Sequence, residues 1–206
     1  MAKRLATRRL EAIAKAVSNP LLHWRQLLGL TLLLVSCETS SVPSEPVELI
    51  SAVGIDYRFL ESRLQQHQWQ AADHETFQLM LRVANRQAEG WLSQADVETF
   101  PCEDLNTLAS LWYAYSDGRF GFLRQQQLWE SVGGISGQYV PETAEALGER
   151  VGWRQQETWL TYDQLIFNRR APEGHLPAST GNGVSGGVWG GVGAIAGRLK
   201  YCPLID

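Results

Sequence analysis

Apolar residues recur at intervals of three and four over most of the chain, and this spacing restricts the fold more than any other feature. The clearest stripe follows Pro101 and consists of Leu105, Leu108, Leu111, Trp112 and Tyr115. Such spacing places the side chains on one face of a helix, whereas a half-buried strand would alternate apolar and polar residues. No stretch sustains that alternation. The sequence therefore predicts an all-α domain, a compact bundle of short helices with this stripe at the centre of its core.

Capping residues and apolar spacing divide the middle of the chain into seven predicted helices. Asp56, Ser93 and Thr161 are each placed to cap a first turn, and Pro101 suits the first turn of another helix. The predicted helices cover residues 57–67, residues 71–85, a short segment after Ser93, a segment after Pro101, residues 122–129, residues 141–150 and residues 161–167.

Eight glycines lie between residues 181 and 197 and interrupt this pattern. Each glycine costs about 1 kcal/mol relative to alanine within a helix, so an isolated helix here would be unstable. The spacings Gly187/Gly191 and Gly193/Gly197 would permit close approach of a neighbouring backbone. The segment is predicted to be a packed glycine-rich helix or turn, and the alternative is a loop with a short helix over residues 193–200.

The N-terminal segment differs from the rest of the chain in charge. Residues 1–26 carry a net charge of +5, and the remainder carries −9. The acidic body argues against nucleic-acid binding, which needs clustered Lys and Arg. The uncharged residues 27–36 are too few to span a membrane but suit the apolar part of a signal peptide.

The residues Leu34-Val-Ser-Cys37 resemble the lipobox of bacterial lipoproteins, in which the cysteine is acylated. The predicted organisation is a signal or anchoring segment at 1–36 with lipidation at Cys37, a Ser/Pro-rich tether at 37–47 and a domain at 48–206. This organisation predicts a membrane-associated, lipid-anchored protein, on a side of the membrane that the sequence leaves open. A cytoplasmic membrane-surface helix and a buried helix of the domain are the alternatives for the first segment.

Residues that could perform chemistry do not form a recognisable catalytic or metal site. Cys37, Cys102 and Cys202 lie far apart, so neither a zinc site nor a disulfide framework is indicated. The sequence contains neither a Walker A loop nor a local signature of a nucleophile beside a base. His67 and His74 are separated by a predicted turn, so a shared site is not expected. We therefore expect no catalytic residues, no metal ligands and no required cofactor.

Six short motifs occur in a fixed order over about 110 residues, and together they resemble the genomes-uncoupled-four family. They are Trp69-Gln-Ala-Ala-Asp-His-Glu-Thr76, Gly90-Trp91-Leu92, Phe100-Pro101-Cys102, Leu111-Trp112, Gly118-Arg-Phe-Gly-Phe122 and Ala171-Pro-Glu-Gly-His-Leu-Pro177. Members of that family are tetrapyrrole-binding regulators of magnesium chelatase in oxygenic phototrophs. The resemblance implies an all-helical monomer with two long loops that bind protoporphyrin IX or magnesium protoporphyrin IX, in chlorophyll biosynthesis, without covalent chemistry.

The resemblance places the first loop at residues 82–92, and the second at residues 167–177 with the segment that follows. Flat apolar side chains would contact the macrocycle, and arginines would contact its propionates. The predicted porphyrin-binding residues are Arg82, Val83, Arg86, Trp91, Phe167, Arg169, Arg170, His175, Leu176 and Trp189. His175 could ligate the metal of a porphyrin, but we favour a role in fixing its loop by hydrogen bonds.

One departure from the family pattern concerns the segment after Pro177. Porphyrin-binding members are expected to have basic residues there, whereas this chain has Ser185-Gly-Gly-Val-Trp-Gly190. A weaker hold on propionates or a different ligand is therefore expected. The alternative function is a protein-interaction or signalling module of the same fold that binds another tetrapyrrole, such as haem or a bilin, or none. The expected partners are a tetrapyrrole, a magnesium chelatase subunit and, through the N-terminus, a membrane.

Overall fold

Seven α-helices and a small antiparallel ribbon form the part of the chain described by the computed structural model, residues 46–178 and 189–202. The helices are α1 (Arg58–Gln65), α2 (Trp69–Val83), α3 (Gln94–Glu98), α4 (Cys102–Tyr115), α5 (Phe122–Ser131), α6 (Pro141–Val151) and α7 (Trp189–Tyr201). The ribbon pairs β1 (Arg154–Gln155) with β2 (Thr158–Trp159), and a 3₁₀ turn follows at Tyr162–Gln164. The predicted all-α class is confirmed, because each strand has only two residues.

Helix bounds differ from the predicted ones where the backbone leaves the helical region. His67 has a φ of 54°, so α1 ends before it and α2 begins at Trp69. The predicted helix over residues 161–167 is wrong beyond its first turn. Thr161 closes a capping box with Gln164, but the Ile166 N–H donates to the ring of His175 at 3.0 Å. A tertiary partner thus takes a backbone donor that a longer helix would use itself.

Helix α4 lies at the centre of the core, as its apolar stripe predicted. Leu105, Leu108, Leu111 and Trp112 are all buried, and α4 packs against α1, α5 and α7. The indole N–H of Trp112 donates to the hydroxyl of Thr76 on α2 at 2.9 Å. The polar edge of this large side chain is thereby satisfied inside the core.

Asp104, which is buried on α4, holds the segment that precedes α1. Its carboxylate accepts hydrogen bonds from the Tyr57 hydroxyl at 2.7 Å, the Ser51 hydroxyl at 2.5 Å and the Ala52 N–H at 3.0 Å. Removal of one partner would leave buried polar groups unpaired, which is why such clusters fix chain geometry. The result is a defined approach of the chain to α1.

The glycines of α7 allow the loop before α6 to lie directly on this helix. The Gly137 N–H donates to the Gly193 carbonyl at 2.7 Å. A Cβ on Gly197 would lie 2.6 Å from the Gly137 Cα, and a Cβ on Gly193 would meet the Gln138 carbonyl. The prediction of a packed glycine-rich helix is confirmed for Gly193/Gly197. Gly187 of the other predicted pair lies outside the described residues.

A disulfide joins Cys102 at the start of α4 to Cys202 just after α7. The two cysteines are 100 residues apart in sequence but their Cα atoms are 5.1 Å apart. The expectation that the cysteines form no disulfide is therefore wrong. Spacing along the chain carries no information about which helix ends meet in the fold, and here the beginning of α4 meets the end of α7.

The predicted segment at 1–36, the tether up to residue 45 and the lipidation at Cys37 lie outside the described residues. Among residues 46–178 and 189–202, every helix falls short of the length and apolar character that crossing a membrane requires.

Candidate functional site

A cleft with a volume of about 640 Å³ lies between the beginning of α2 and the segment that contains the 3₁₀ turn. Two groups of residues line it. The α2 side contributes His67, Gln68, Trp69, Gln70, Ala71 and His74, and the other segment contributes Tyr162 and Phe167. The structure thus combines Phe167, a predicted site residue, with side chains from the Trp69 motif. The volume lies in the range of small-molecule sites.

Aromatic rings form part of the lining of this cleft. The Tyr162 and Phe167 rings are in contact, with their centroids 5.0 Å apart. On the α2 side, His67 stacks on Trp69 at 5.2 Å with an interplanar angle of 9°. Trp69 is itself held by Trp112 of the core, at a ring distance of 6.1 Å. Flat side chains held in this way suit a flat apolar ligand.

Asp73 fixes the two sides of the cleft relative to each other. Its carboxylate is completely buried and accepts hydrogen bonds from the Tyr162 hydroxyl at 3.0 Å and from the Ala178 N–H at 2.5 Å. Burial, together with the negative charge of Asp73, raises the pKa of Tyr162, so its hydroxyl stays a donor. The sequence offered helix capping or a hydrogen bond to a neighbouring loop for Asp73, and the structure shows the second.

The turn at residues 174–177 belongs to the core. His175 and Leu176 are completely buried. The His175 ring accepts from the Ile166 N–H through Nε2 at 3.0 Å, and its Nδ1 lies 2.6 Å from the Val151 carbonyl oxygen. Gln125 donates to the carbonyls of Gly174 and Pro177. The preferred role of His175, fixing the loop, is confirmed. The prediction that His175 and Leu176 contact the ligand directly is wrong, because both side chains are completely buried and neither lines the cleft.

Acidification should destabilise the fold through His175. Burial lowers the pKa of this histidine below its ordinary value. Its contribution to stability is therefore complete above about pH 6.5, and is lost as the pH falls from there through the lower pKa of the folded state. Urea unfolding between pH 7.5 and 5.5 should show a decreasing midpoint. The His175→Asn variant keeps a donor for Val151 but cannot titrate, so its midpoint should change less over the same range; an equal slope in both proteins would contradict this assignment.

The predicted first loop lies at the other end of α2 and forms a charged surface. Arg86 pairs with Asp96 and Glu89, each at 3.1 Å, and its guanidinium lies 5.5 Å from the centre of the Trp91 ring. The Trp91 side chain is 52% exposed. Arg82 pairs with Glu75 at 2.8 Å. These three residues are accessible to a ligand, but the arginines are already paired with carboxylates.

The prediction that Val83 contacts the ligand is wrong, because Val83 packs in the core at the end of α2.

The arginines of the second loop differ from each other. Arg169 pairs with Asp117 at 2.5 Å, whereas Arg170 is exposed and has no ion pair within residues 46–178 and 189–202. The side chain of Trp189 and the whole of Cys37 lie outside the described residues. Arg170 is therefore the free cation nearest to Phe167 in sequence.

Sequence reasoning missed the α2 side of the cleft and Tyr162. His67 and His74, which were considered only as a metal pair, both line the cleft, because the chain turns at His67 and immediately enters α2. Tyr162 was interpreted only as part of a capping box. The available signal was the spacing of residues 70, 71 and 74, which marks one face of α2 with an aromatic residue, Trp69, beside it. Within the described ranges, no three His, Cys, Asp or Glu side chains are grouped to hold a metal ion.

Comparisons with known proteins agree with this fold. The model of the GUN4-like family matches residues 50–189. The Ycf53-like protein of Synechocystis sp. is 33% identical over 138 residues, which are 66% of this chain and 56% of that protein. The Tetrapyrrole-binding protein, chloroplastic, of Arabidopsis thaliana is 35% identical over 75 residues, or 35% of this chain and 28% of that protein. The chain thus spans little more than half the length of the longer-matching relative.

Two solved structures share the fold. GUN4 from Chlamydomonas reinhardtii superposes with a TM-score of 0.57 at 23% identity, over 78% of this chain and 97% of that one. The ligand-free structure of Arabidopsis thaliana GUN4 gives a TM-score of 0.57 at 22% identity, over 74% of this chain and all of that one. At these identities the likeness establishes the all-helical architecture.

Proposed function

The chain belongs to the GUN4-like family, and we propose that it is a tetrapyrrole-binding regulator that performs no covalent chemistry itself. The observation that carries this proposal is the aromatic cleft between α2 and the Tyr162–Phe167 segment. A tetrapyrrole is a flat apolar disc with acidic propionates at its edge, so it needs ring faces and a nearby cation. The cleft offers the rings of Tyr162 and Phe167, with Trp69 stacked behind His67, and the exposed Arg170 follows Phe167 by three residues. Protoporphyrin IX and its magnesium derivative are the ligands that the family resemblance suggests.

Truncation of Phe167 should weaken binding of protoporphyrin IX. Loss of a buried phenyl ring removes about 1.5–3 kcal/mol of apolar burial, which corresponds to roughly a 10- to 100-fold higher Kd. Titration with the porphyrin should quench tryptophan fluorescence, since Trp69 lies in the cleft, and the Phe167→Ala variant should need correspondingly more ligand.

The neighbouring Ile166 gives a matched control, because its side chain is exposed and does not line the cleft. Ile166→Ala should bind the porphyrin like the unaltered protein. Equal losses in both variants would place the ligand elsewhere. Complete absence of quenching at micromolar porphyrin in the unaltered protein would reject tetrapyrrole binding and favour an interaction module that retains the fold without a ligand.

We propose further that residues 1–36 are removed and that lipid on Cys37 tethers the domain to a membrane. The lipobox-like sequence supports this proposal, and the Cys102–Cys202 disulfide favours an oxidising compartment, since disulfides are rare in the cytosol. Intact mass of the purified membrane fraction should show a chain that begins at Cys37 and carries acyl groups. A soluble protein that still contains residues 1–36 would reject the tether.

The proposal also names the enzyme that this protein would regulate. The family resemblance supports a magnesium chelatase subunit as the partner, with the porphyrin-loaded protein raising the rate of metal insertion. Such an enzyme works on the cytoplasmic or stromal side, so the assay should be run with both the reduced and the disulfide-linked protein. If neither form raises the rate, the chelatase is not the partner, and tetrapyrrole capture itself is unaffected by that result.

A further inference from the structure

Two histidines line the proposed tetrapyrrole cleft, and neither imidazole has a hydrogen-bond partner within residues 46–178 and 189–202. The other histidine of the described ranges, His175, is buried with both ring nitrogens engaged by backbone groups. His67 and His74 are therefore the imidazoles free to bind a ligand. An unengaged imidazole in a cleft lined by aromatic side chains is an available metal ligand, because a neutral ring nitrogen is the commonest protein donor to transition metals.

The surroundings of the two rings differ. The face of His67 is covered by Trp69, against which it stacks almost in parallel. His74 is exposed and lies on α2 beside Asp73, which is anchored on both sides of the cleft. His67 is thus occupied by stacking, whereas His74 makes no such ring contact with the residues that the structure describes.

The donor available in the cleft suits iron. Imidazole is a good ligand for iron, copper and zinc, and haem iron in particular is commonly held by one histidine. Gln68 and Gln70, the other polar side chains on the α2 side of the cleft, carry only amide groups.

From these observations we propose that the cleft binds an iron tetrapyrrole of the haem class, with His74 as the axial ligand of the iron. The inference rests on the proposed function, because it names the ligand of that same cleft. His74 supplies the bond to the metal, while Tyr162 and Phe167 supply ring contacts to the macrocycle.

Absorbance titration of the full chain with ferric haem tests the proposal. The unaltered protein should shift the Soret band to the position of an imidazole-ligated haem, and His74→Ala should lose this shift and raise the Kd for haem at least 10-fold. Free imidazole should restore the shifted band in His74→Ala. Binding of metal-free protoporphyrin IX, followed by fluorescence, should change less than twofold, because it has no metal to ligate. His67→Ala is the matched control for ligation: once saturated with haem, it should show the same shifted band.

Three results would overturn the proposal. A shifted band that persists in His74→Ala, or one that is lost in haem-saturated His67→Ala, would show that His74 is not the axial ligand. A haem spectrum that matches free haem while protoporphyrin binds would show that the cleft takes tetrapyrroles without imidazole ligation, so the proposed function would stand alone. If neither porphyrin nor haem binds, the proposed function fails and this inference fails with it.

Discussion

Replacing Asp73 with alanine should destabilise the domain by on the order of 3–5 kcal/mol, because removal of one partner leaves the groups bonded to a buried charge unpaired. The carboxylate accepts from the Tyr162 hydroxyl and from the Ala178 N–H, which come from either end of the second predicted loop. The same change should weaken porphyrin binding, since Tyr162 would no longer be held beside Phe167. Urea unfolding gives the first quantity, and fluorescence titration gives the second.

The Tyr162→Phe variant separates the contributions of the two hydrogen bonds that Asp73 accepts, from the Tyr162 hydroxyl and from the Ala178 N–H. It removes only the hydroxyl that donates to Asp73 and keeps the ring in contact with Phe167. Its cost should be about 1.5–3 kcal/mol, the typical net value of one hydrogen bond to a charged group. If Asp73→Ala were no more destabilising than Tyr162→Phe, the bond to Ala178 would contribute nothing, and the anchoring role of Asp73 at the far end of the loop would be wrong.

The features that the sequence predicted well are those that depend on neighbouring residues. The stripe on α4 is buried as expected because helical spacing alone decides which side chains share a face. The capping residues Ser93 and Thr161 close the turns that their patterns predicted. The backbone at Gly137 and Gln138 lies close to Gly193 and Gly197, as their spacing predicted. This neighbour is the loop before α6.

The features that the sequence could not predict depend on which distant segments meet. Tyr162 reaches the cleft only because Asp73, 89 residues earlier, accepts its hydroxyl. Val83 and Leu176 were assigned to the ligand from their positions beside the loops, but both turn into the core. His175 faces inward because Val151 and Ile166 offer it a carbonyl and an N–H. These pairings join segments that are far apart in sequence and leave no periodic trace in the residues themselves.

Reduction of the Cys102–Cys202 disulfide should lower the free energy of unfolding by about 4–5 kcal/mol, the loop-closure value for a cross-link of this span. The bond joins positions 100 residues apart, so it restricts most of the unfolded domain. In the folded state it holds the end of α7, which packs on α3 and α5. We therefore expect a large decrease of the urea midpoint in the presence of a dithiol reductant.

The double variant Cys102→Ala/Cys202→Ala supplies the control. It should unfold at the midpoint of the reduced protein, and the reductant should have no further effect on it. Hydrogen exchange should show the loss first in α7, since its close approach to Gly137 needs the helix end to be held. Identical midpoints for the oxidised and reduced chain would mean that the bond is not formed in solution, and would remove the support it gives to an oxidising compartment. A large difference would instead mean that the domain is only marginally stable when the disulfide is reduced.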